Sequence, residues 1–266
     1  MICLKGIITF LTDFGLKSGY VAQMKGVASG ITDARLVDIT HDIAPHNIRE
    51  GAFILRTVVP YFPVGTVHVV VVDPGVGTNR RGLVITTKTQ ILVGPDNGVL
   101  MPAAHLLGDF TVYEISNKKY MLGFVSNTFH GRDVFTPVAS HIVNGIPFEE
   151  IGDCVEDFVD MDFGWGDVSD KMAVGKIVYV DRFGNLITNI DGGRLLEHLD
   201  YGEKIMVFVG RRSEEMFFVK SYGFVKKGDM LATIGGSGVL EISINQGNAA
   251  EKLDAKEDDE IKILYS

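Results

Sequence analysis

Short apolar runs alternate with amphipathic stretches along the first half of the chain, and that alternation limits its fold more than any other feature. "GIITFLTDF" (6–14) predicts a strand and "SGYVAQMKGVASGI" (18–31) a helix. "ARLVDIT" (34–40) predicts a strand, "IREGAFILRTVVPYF" (48–62) a helix, and "TVHVVVVD" (66–73) a further strand. "GLVITTKT" and "QILVGPDN" predict two more strands, and "GVLMPAAHLL" (98–107) a helix. "VYEIS" reads as a strand and "GRDVFTPVASHIVNG" (131–145) as a helix ended by glycine. Near-continuous valine and isoleucine runs separated by helices imply a largely parallel sheet covered on both faces.

The pattern breaks at "EDFVDMDFGWGDVSD" (156–170), which is acidic, punctuated by glycine and aperiodic, and reads as a linker. Beyond it, "KIVYVD", "NLITNI", "KIMVFVG", "MFFVKS", "MLATIG", "VLEISIN" and "EIKILYS" are short alternating segments with turn residues between them. They predict a small β-barrel or sandwich. The expected class is α/β: a Rossmann-like α/β/α domain at 1–160, a linker at 161–171 and an all-β, barrel-like domain at 172–266.

Composition narrows the function. With 46% hydrophobic and 22% charged residues, the 266-residue chain is ordinary for a soluble globular protein. No apolar run approaches the roughly 20 residues of a membrane span, so no membrane partner is expected. The opening "MICLKGIITFL" carries a lysine in mid-run and lacks a small-residue cleavage site, so it reads as a first buried strand rather than a leader. A net charge of −9 argues against a nucleic-acid partner. The two cysteines, Cys3 and Cys154, show no metal-like spacing, consistent with a reducing cytoplasm.

Several loops carry groups that chemistry could use. "TDFG" (12–15) closes the first strand and puts Asp13 where open α/β sheets bind ligands. A carboxylate there can accept from two adjacent hydroxyls, as in a ribose diol, or it can orient the turn. "VVVVDPGVGTNRRG" (69–82) ends a strand on Asp73 and brings Arg80 within reach across a tight loop. It leads into another strand and has no GK[ST], so it is not a phosphate cradle. A surface ion pair on a turn is the plain alternative. "TFHGRD" (128–133) sets His130 before a helix; no two histidines show metal-ligand spacing, so neither metal nor cofactor is expected. In "VDRFGNLITNI" (180–190), Asp181, Phe183 and Asn185 form either a plain turn or a ring and an amide suited to a purine. "GSGVLEISINQGNAA" (236–250) places Ser237 in a Gly/Ser turn whose N–H groups and hydroxyl could take a carboxylate.

Taken in order, "TDFG", "DPGVGTNRRG", "PDNG", "TFHGRD", "DRFGN" and "NQGNAA" resemble the S-adenosyl-L-methionine hydroxide adenosyltransferases, relatives of the fluorinase and chlorinase enzymes. The resemblance spans nearly the whole chain. It implies conversion of S-adenosyl-L-methionine and water to adenosine and L-methionine, with Asp73, Arg80 and His130 as the catalytic set. It also implies that Asp13 holds the ribose, Phe183 and Asn185 the adenine, and Asp181 the amino acid part. A tryptophan that packs over the sugar in the fluorinase aligns with His46. The halogenating relatives carry a tyrosine at Asp73 and the fluorinase a halide-contacting serine at Gly131, differences that favour water over a halide. The serine and arginine that bind carboxylate in the fluorinase have no clean match near Ser237 and Gly238. The resemblance further implies a homotrimer with sites formed between subunits. A sulfonium leaves as a neutral thioether, so the demand falls on the nucleophile. A histidine near its ordinary pKa of ~6.5 is the more plausible proton acceptor at neutral pH, with Asp73 the other candidate. The rival readings are a halogenating adenosyl transferase and a non-catalytic adenosine or S-adenosyl-L-methionine sensor.

Overall fold

A computed structural model describes residues 6–266; Cys3 lies outside them. The chain divides into two compact units, 1–162 and 163–266.

In the first unit the strands are β1 (Ile7–Thr12), β2 (Arg35–Thr40), β3 (Val67–Val71), β4 (Gly82–Thr86), β5 (Ile91–Pro95) and β6 (Thr111–Glu114). They form one six-stranded sheet in the order β2-β1-β3-β5-β4-β6. β2, β1, β3 and β5 run parallel, whereas β4 is antiparallel to both β5 and β6. The expected parallel sheet therefore ends in an antiparallel edge. The short Thr87–Gln90 turn between β4 and β5 permits a hairpin, whereas a parallel partner needs a crossover of a dozen or more residues.

The helices are α1 (Tyr20–Ile31), α2 (Ile48–Val58), α3 (Met101–Leu107) and α4 (Thr136–Val143). Strand side chains alternate between faces, so Ile8, Phe10, Val67, Val69 and Val71 pack with Met24 and Ala28 of α1 and Val138 and Ala139 of α4. Leu11 and Val72 meet Gly51 of α2 on the other face, where a Cβ would stand only 3.0 Å from Val72. Sequence periodicity overstated two helices. α2 stops at Val58 and gives way to a 3₁₀ turn, Val59–Tyr61, because Pro60 cannot donate the next helical bond. The predicted 131–145 helix opens instead as a π-helical turn, Gly131–Phe135, closed by Thr136 N–H donating to Gly131 O.

The second unit is a barrel. β7 (Asp167–Ser169), β8 (Met172–Val180), β9 (Leu186–Asp191), β10 (Lys204–Val209), β11 (Arg212–Phe218), β12 (Met230–Ile234), β13 (Val239–Ile244) and β14 (Glu260–Leu264) pair in one sheet. The β14–β8 pairing closes the ring through β10, β11, β12, β13 and β9, leaving β7 as an added strand on β8. β7 lies inside the segment read as an aperiodic linker; a three-residue strand is too short for alternation to reveal. The interior is filled by Ile177, Leu186, Ile190, Val207, Phe218, Leu240 and Ile263 among others. Two helices, α5 (Gly192–Leu195) and α6 (Ala249–Leu253), decorate it. Among the described residues, no helix is long and apolar enough to cross a membrane.

Phe10 of β1 is fully buried in the first unit's core. Phe10→Ala is expected to cost about 3–5 kcal/mol of stability, read as a shifted denaturant midpoint; an unchanged midpoint would show that the sheet does not depend on this packing.

Candidate active site

The first unit's site grows from two adjacent strand ends. Thr12 of β1 lies opposite Val71 of β3 in the parallel ladder, so Asp13 and Asp73 emerge at neighbouring carboxyl ends. Between these strands the chain order turns back, since β2 lies to one side of β1 and β3 to the other. Ligands of open α/β sheets bind at such a point.

Asp73 begins the "PGVGTN" loop, which folds back so that Arg80 returns to it. Arg80 Nη2 donates to Asp73 Oδ2 at 2.5 Å, and the same nitrogen lies 3.0 Å from His130 Nδ1. Arg80 Nη1 donates to Arg81 O at 2.8 Å, and the guanidinium carbon lies 5.3 Å from the centre of the Phe135 ring. The side chains of Asp73 and Arg80 are 3% and 8% exposed, so this is a buried pair and not the surface ion pair of the plain alternative. Gly77, at φ +77°, makes the return possible: a Cβ there would lie 2.1 Å from Asn127 O. The loop thus packs on the segment that leads to His130.

A guanidinium has no acceptor, so His130 Nδ1 must receive the Arg80 proton. The imidazole is then neutral, with its remaining hydrogen on Nε2. Burial holds the His130 pKa below 6.5, and the Arg80 charge adds to the effect. Burial also pushes the Asp73 carboxyl above its ordinary 3.8, outweighing Arg80, His130 and a hydrogen bond from Gly75. Asp73 Oδ1 is buried and has no hydrogen-bond partner. With Nδ1 engaged by Arg80 and the hydrogen on Nε2, His130 offers no free lone pair in this tautomer, whereas Asp73 Oδ1 does.

The adjacent arginine does different work. Arg81 donates twice to Asp96 of "PDNG", at 3.0 and 2.8 Å, and reaches Asp157. Asn97 of the same motif donates to Val72 O at 2.9 Å, fixing the strand end beside Asp73. Asp133 is fully buried; burial alone would raise its pKa, but hydrogen bonds from Arg132 and Ser126 hold it below the ordinary value. It anchors the π-helical turn behind His130.

Asp13 accepts the His46 backbone N–H at 2.9 Å through Oδ2. His46 is exposed and adopts φ +68°, a conformation uncommon outside glycine. These two residues therefore meet, through His46's main chain. Phe14, Tyr20 and Phe129 pack edge to face with centroids 5.3–5.8 Å apart. This aromatic cluster was not singled out from sequence, because its members lie in three separate segments. His68 is a core residue, bonded to Thr9 and Gln90, with burial pushing its pKa down to about 4.

In the second unit a cavity of about 490 Å³ is lined by Asp181, Phe183, Asn185, Tyr222, Asn245 and Gln246, among others. Asp181 Oδ1 accepts from Phe183 N and Asn185 N, and Oδ2 accepts from Asn185 Nδ2 at 2.9 Å. This fixes the Asn185 amide, so its oxygen remains to accept from a ligand. Phe183 is 67% exposed, a face open for stacking. Gly184, at φ +79°, lies against Asn248, whose Oδ1 would be 1.9 Å from a Cβ, so "DRFGN" and "NQGNAA" are packed together. Ser237 sits exposed in the β12–β13 turn and does not line this cavity. A larger groove of about 750 Å³ near Arg211, Asp254, Lys256 and Glu260 holds none of these residues, and its opposite charges offset one another. Among the described residues, no cluster of three or more His, Cys, Asp or Glu is arranged to hold a metal ion.

His130 should titrate below pH 6.5 by nuclear magnetic resonance, with the Nε2–H tautomer above that. Arg80→Ala should raise this pKa, because a repelling cation is lost while Asp73 remains; a lowered value would contradict the arrangement.

Comparison with known proteins agrees with the motif order. The models of the S-adenosyl-L-methionine hydroxide adenosyltransferase N-terminal and C-terminal domains match residues 8–152 and 175–262. The chain is 39% identical to the (R)-S-adenosyl-L-methionine hydrolase of Methanocaldococcus jannaschii, over 97% of this chain and 96% of that protein. A fluorinase of an Actinoplanes species is 29% identical over 69% of this chain and 71% of its own length. The crystal structure of an uncharacterized conserved protein from Thermotoga maritima superposes with a TM-score of 0.91 at 40% identity, covering 97% of this chain and 99% of that one. The chain belongs to the S-adenosyl-L-methionine hydroxide adenosyltransferase family.

Proposed function

We propose that this protein hydrolyses S-adenosyl-L-methionine to adenosine and L-methionine. The observation that carries the reading is the buried Asp73–Arg80–His130 set, in which one carboxylate oxygen is left without a donor. A water donating to Asp73 Oδ1 would satisfy that atom. Arg80 would stabilise hydroxide-like charge, and the Nε2–H of His130 would orient the oxygen. Bulk water has a pKa of about 15.7, so its proton must leave as the new bond forms. In this mechanism the oxygen attacks the 5′ carbon, the carbon–sulfur bond breaks, methionine departs as a neutral thioether, and the proton passes to Asp73. No metal or cofactor is needed to assist so good a leaving group. Alignment of water and sulfonium carbon supplies several kcal/mol.

Asp13 is assigned to the ribose diol, with His46 beside it. Phe183 and Asn185 are assigned to adenine, and Asp181 to holding Asn185 as well as to the substrate's amino acid part. Ser237 is kept as a candidate for the carboxylate end. The Rossmann-like description of the first unit, a cytoplasmic location and a homotrimer with shared sites complete the proposal; the free, exposed Cys154 thiol is in keeping with a reducing compartment.

Chromatography of an incubation with S-adenosyl-L-methionine should show adenosine and methionine in equal amounts. Intact substrate would favour a sensor, and a halo-deoxyadenosine formed with fluoride or chloride would favour a halogenase. Arg80→Ala and Asp73→Ala should each lower kcat about 10²–10⁴-fold. Activity should hold as pH falls to 6.5 and decline only below it, as neutral His130 gains a proton and, at a pH above the ordinary carboxylate range, Asp73 is protonated. A decline beginning above pH 7 would sink these assignments. Light scattering should return about three times the 29.1 kDa chain mass.

A further inference from the structure

His41 follows β2 and is only 4% exposed, an unfavourable place for an imidazole unless its nitrogens are engaged. The β1–β2 register shifts between Phe10–Asp38 and Leu11–Thr40, where β2 carries an extra residue, and this brings His41 level with Thr12. Such bulges re-aim the side chains beside them. His41 Nδ1 lies 2.9 Å from the hydroxyl of Thr12, which is fully buried. That hydroxyl oxygen accepts the Phe14 N–H at 3.2 Å, and His41 O accepts the Gly15 N–H at 2.8 Å. On the far side of the ring, Nε2 lies 3.0 Å from Asp38 Oδ1, off the line of a hydrogen bond. Lys25 of α1 donates to Asp38 Oδ2 at 2.6 Å. Burial alone would raise the Asp38 pKa, but Lys25 and His41 hold it below its ordinary value.

These contacts fall on both sides of one residue, Asp13. Thr12 before it is engaged by the His41 ring, and Phe14 and Gly15 after it donate to Thr12 and to His41. An Asp–His–hydroxyl order can activate a nucleophile, but here the hydroxyl is sealed from any substrate and already serves the turn. Its proton still needs an acceptor, since a buried donor left unmatched is destabilising. Donation to His41 Nδ1 meets that need and puts the ring's hydrogen on Nε2, facing the anionic Asp38. Asp13 Oδ2 takes the His46 N–H, so the turn behind the carboxylate decides where its other oxygen points.

We propose that His41 is a positioning residue for the ribose-binding carboxylate: neutral, with its hydrogen on Nε2, it locks the Thr12–Gly15 turn so that Asp13 meets a vicinal diol in one geometry. The inference rests on the assignment of Asp13 to the ribose.

Calorimetric titration with adenosine and with 2′,3′-dideoxyadenosine, which lacks the diol, reads this directly. The unaltered protein should favour adenosine about tenfold or more, as charged hydrogen bonds to a diol would. Asp13→Ala should erase that preference. His41→Leu should reduce it about fivefold or more, the factor for one lost hydrogen bond, while dideoxyadenosine affinity stays within about twofold. His41→Asn keeps an acceptor near the Nδ1 position and should restore most of the preference. A preference that survives in His41→Leu, a weakening shared equally by both ligands, or equal behaviour of the Leu and Asn variants overturns the assignment. Nitrogen magnetic resonance of the unaltered protein needs no variant to fold: His41 should show the Nε2–H tautomer at neutral pH, and a hydrogen on Nδ1 overturns the proposal. If the unaltered protein shows no preference, or Asp13→Ala keeps it, the ribose reading falls and this one with it. A preference lost in Asp13→Ala but intact in His41→Leu sinks only the role of His41.

Discussion

A guanidinium that bridges a carboxylate and an imidazole is the interaction on which the first unit's site depends. Arg80 is the only one of the three that must be charged, and its hydrogen bonds fix how the other two are presented. It denies His130 a second proton by occupying Nδ1, and it fills Asp73 Oδ2. Desolvation then raises the carboxyl and lowers the imidazole, moving two pKa values toward each other. Ion pairs this deeply buried seldom add much net stability. Their value here lies in fixing one vacant lone pair in a known direction.

The surrounding structure serves that placement. Two parallel strands end side by side, which brings Asp13 and Asp73 close without any contact between the two carboxylates being required. Gly77 lets the Asp73 loop press on the main chain near Asn127, and a π-helical turn tied down by Asp133 sets the angle of His130. π-Turns are uncommon and recur at functional sites, where the extra residue re-aims a side chain. In the barrel, the corresponding device is Asp181, which spends its oxygens on its own turn and so presents Asn185 in one amide orientation.

Residue type alone misleads at several of these positions. Arg80 and Arg81 are adjacent and chemically identical, yet one turns to Asp73 and the other clamps Asp96 and Asp157. Seven histidines include one core residue bonded to Thr9 and Gln90 and one whose backbone, not its ring, meets Asp13. Glu241 sits in a strand whose alternation assigns it to the outer face, where charge is ordinary; only the Tyr222 segment laid over it makes it a buried carboxylate.

By itself the sequence determined the two-part plan, because valine-rich runs spaced by helices and then seven alternating segments are local patterns; that the latter close as a barrel and not a sandwich was decided by the pairing of β14 with β8. It also determined the motif order that marks the family, since each motif is a contiguous stretch. The antiparallel β4, the π-turn before α4 and the strand inside the supposed linker depended on pairing partners far along the chain. So did the protonation of His130, the vacant oxygen of Asp73 and the enclosure of Glu241. Desolvation and hydrogen-bond direction are properties of what surrounds a group, and only tertiary structure brings those surroundings together.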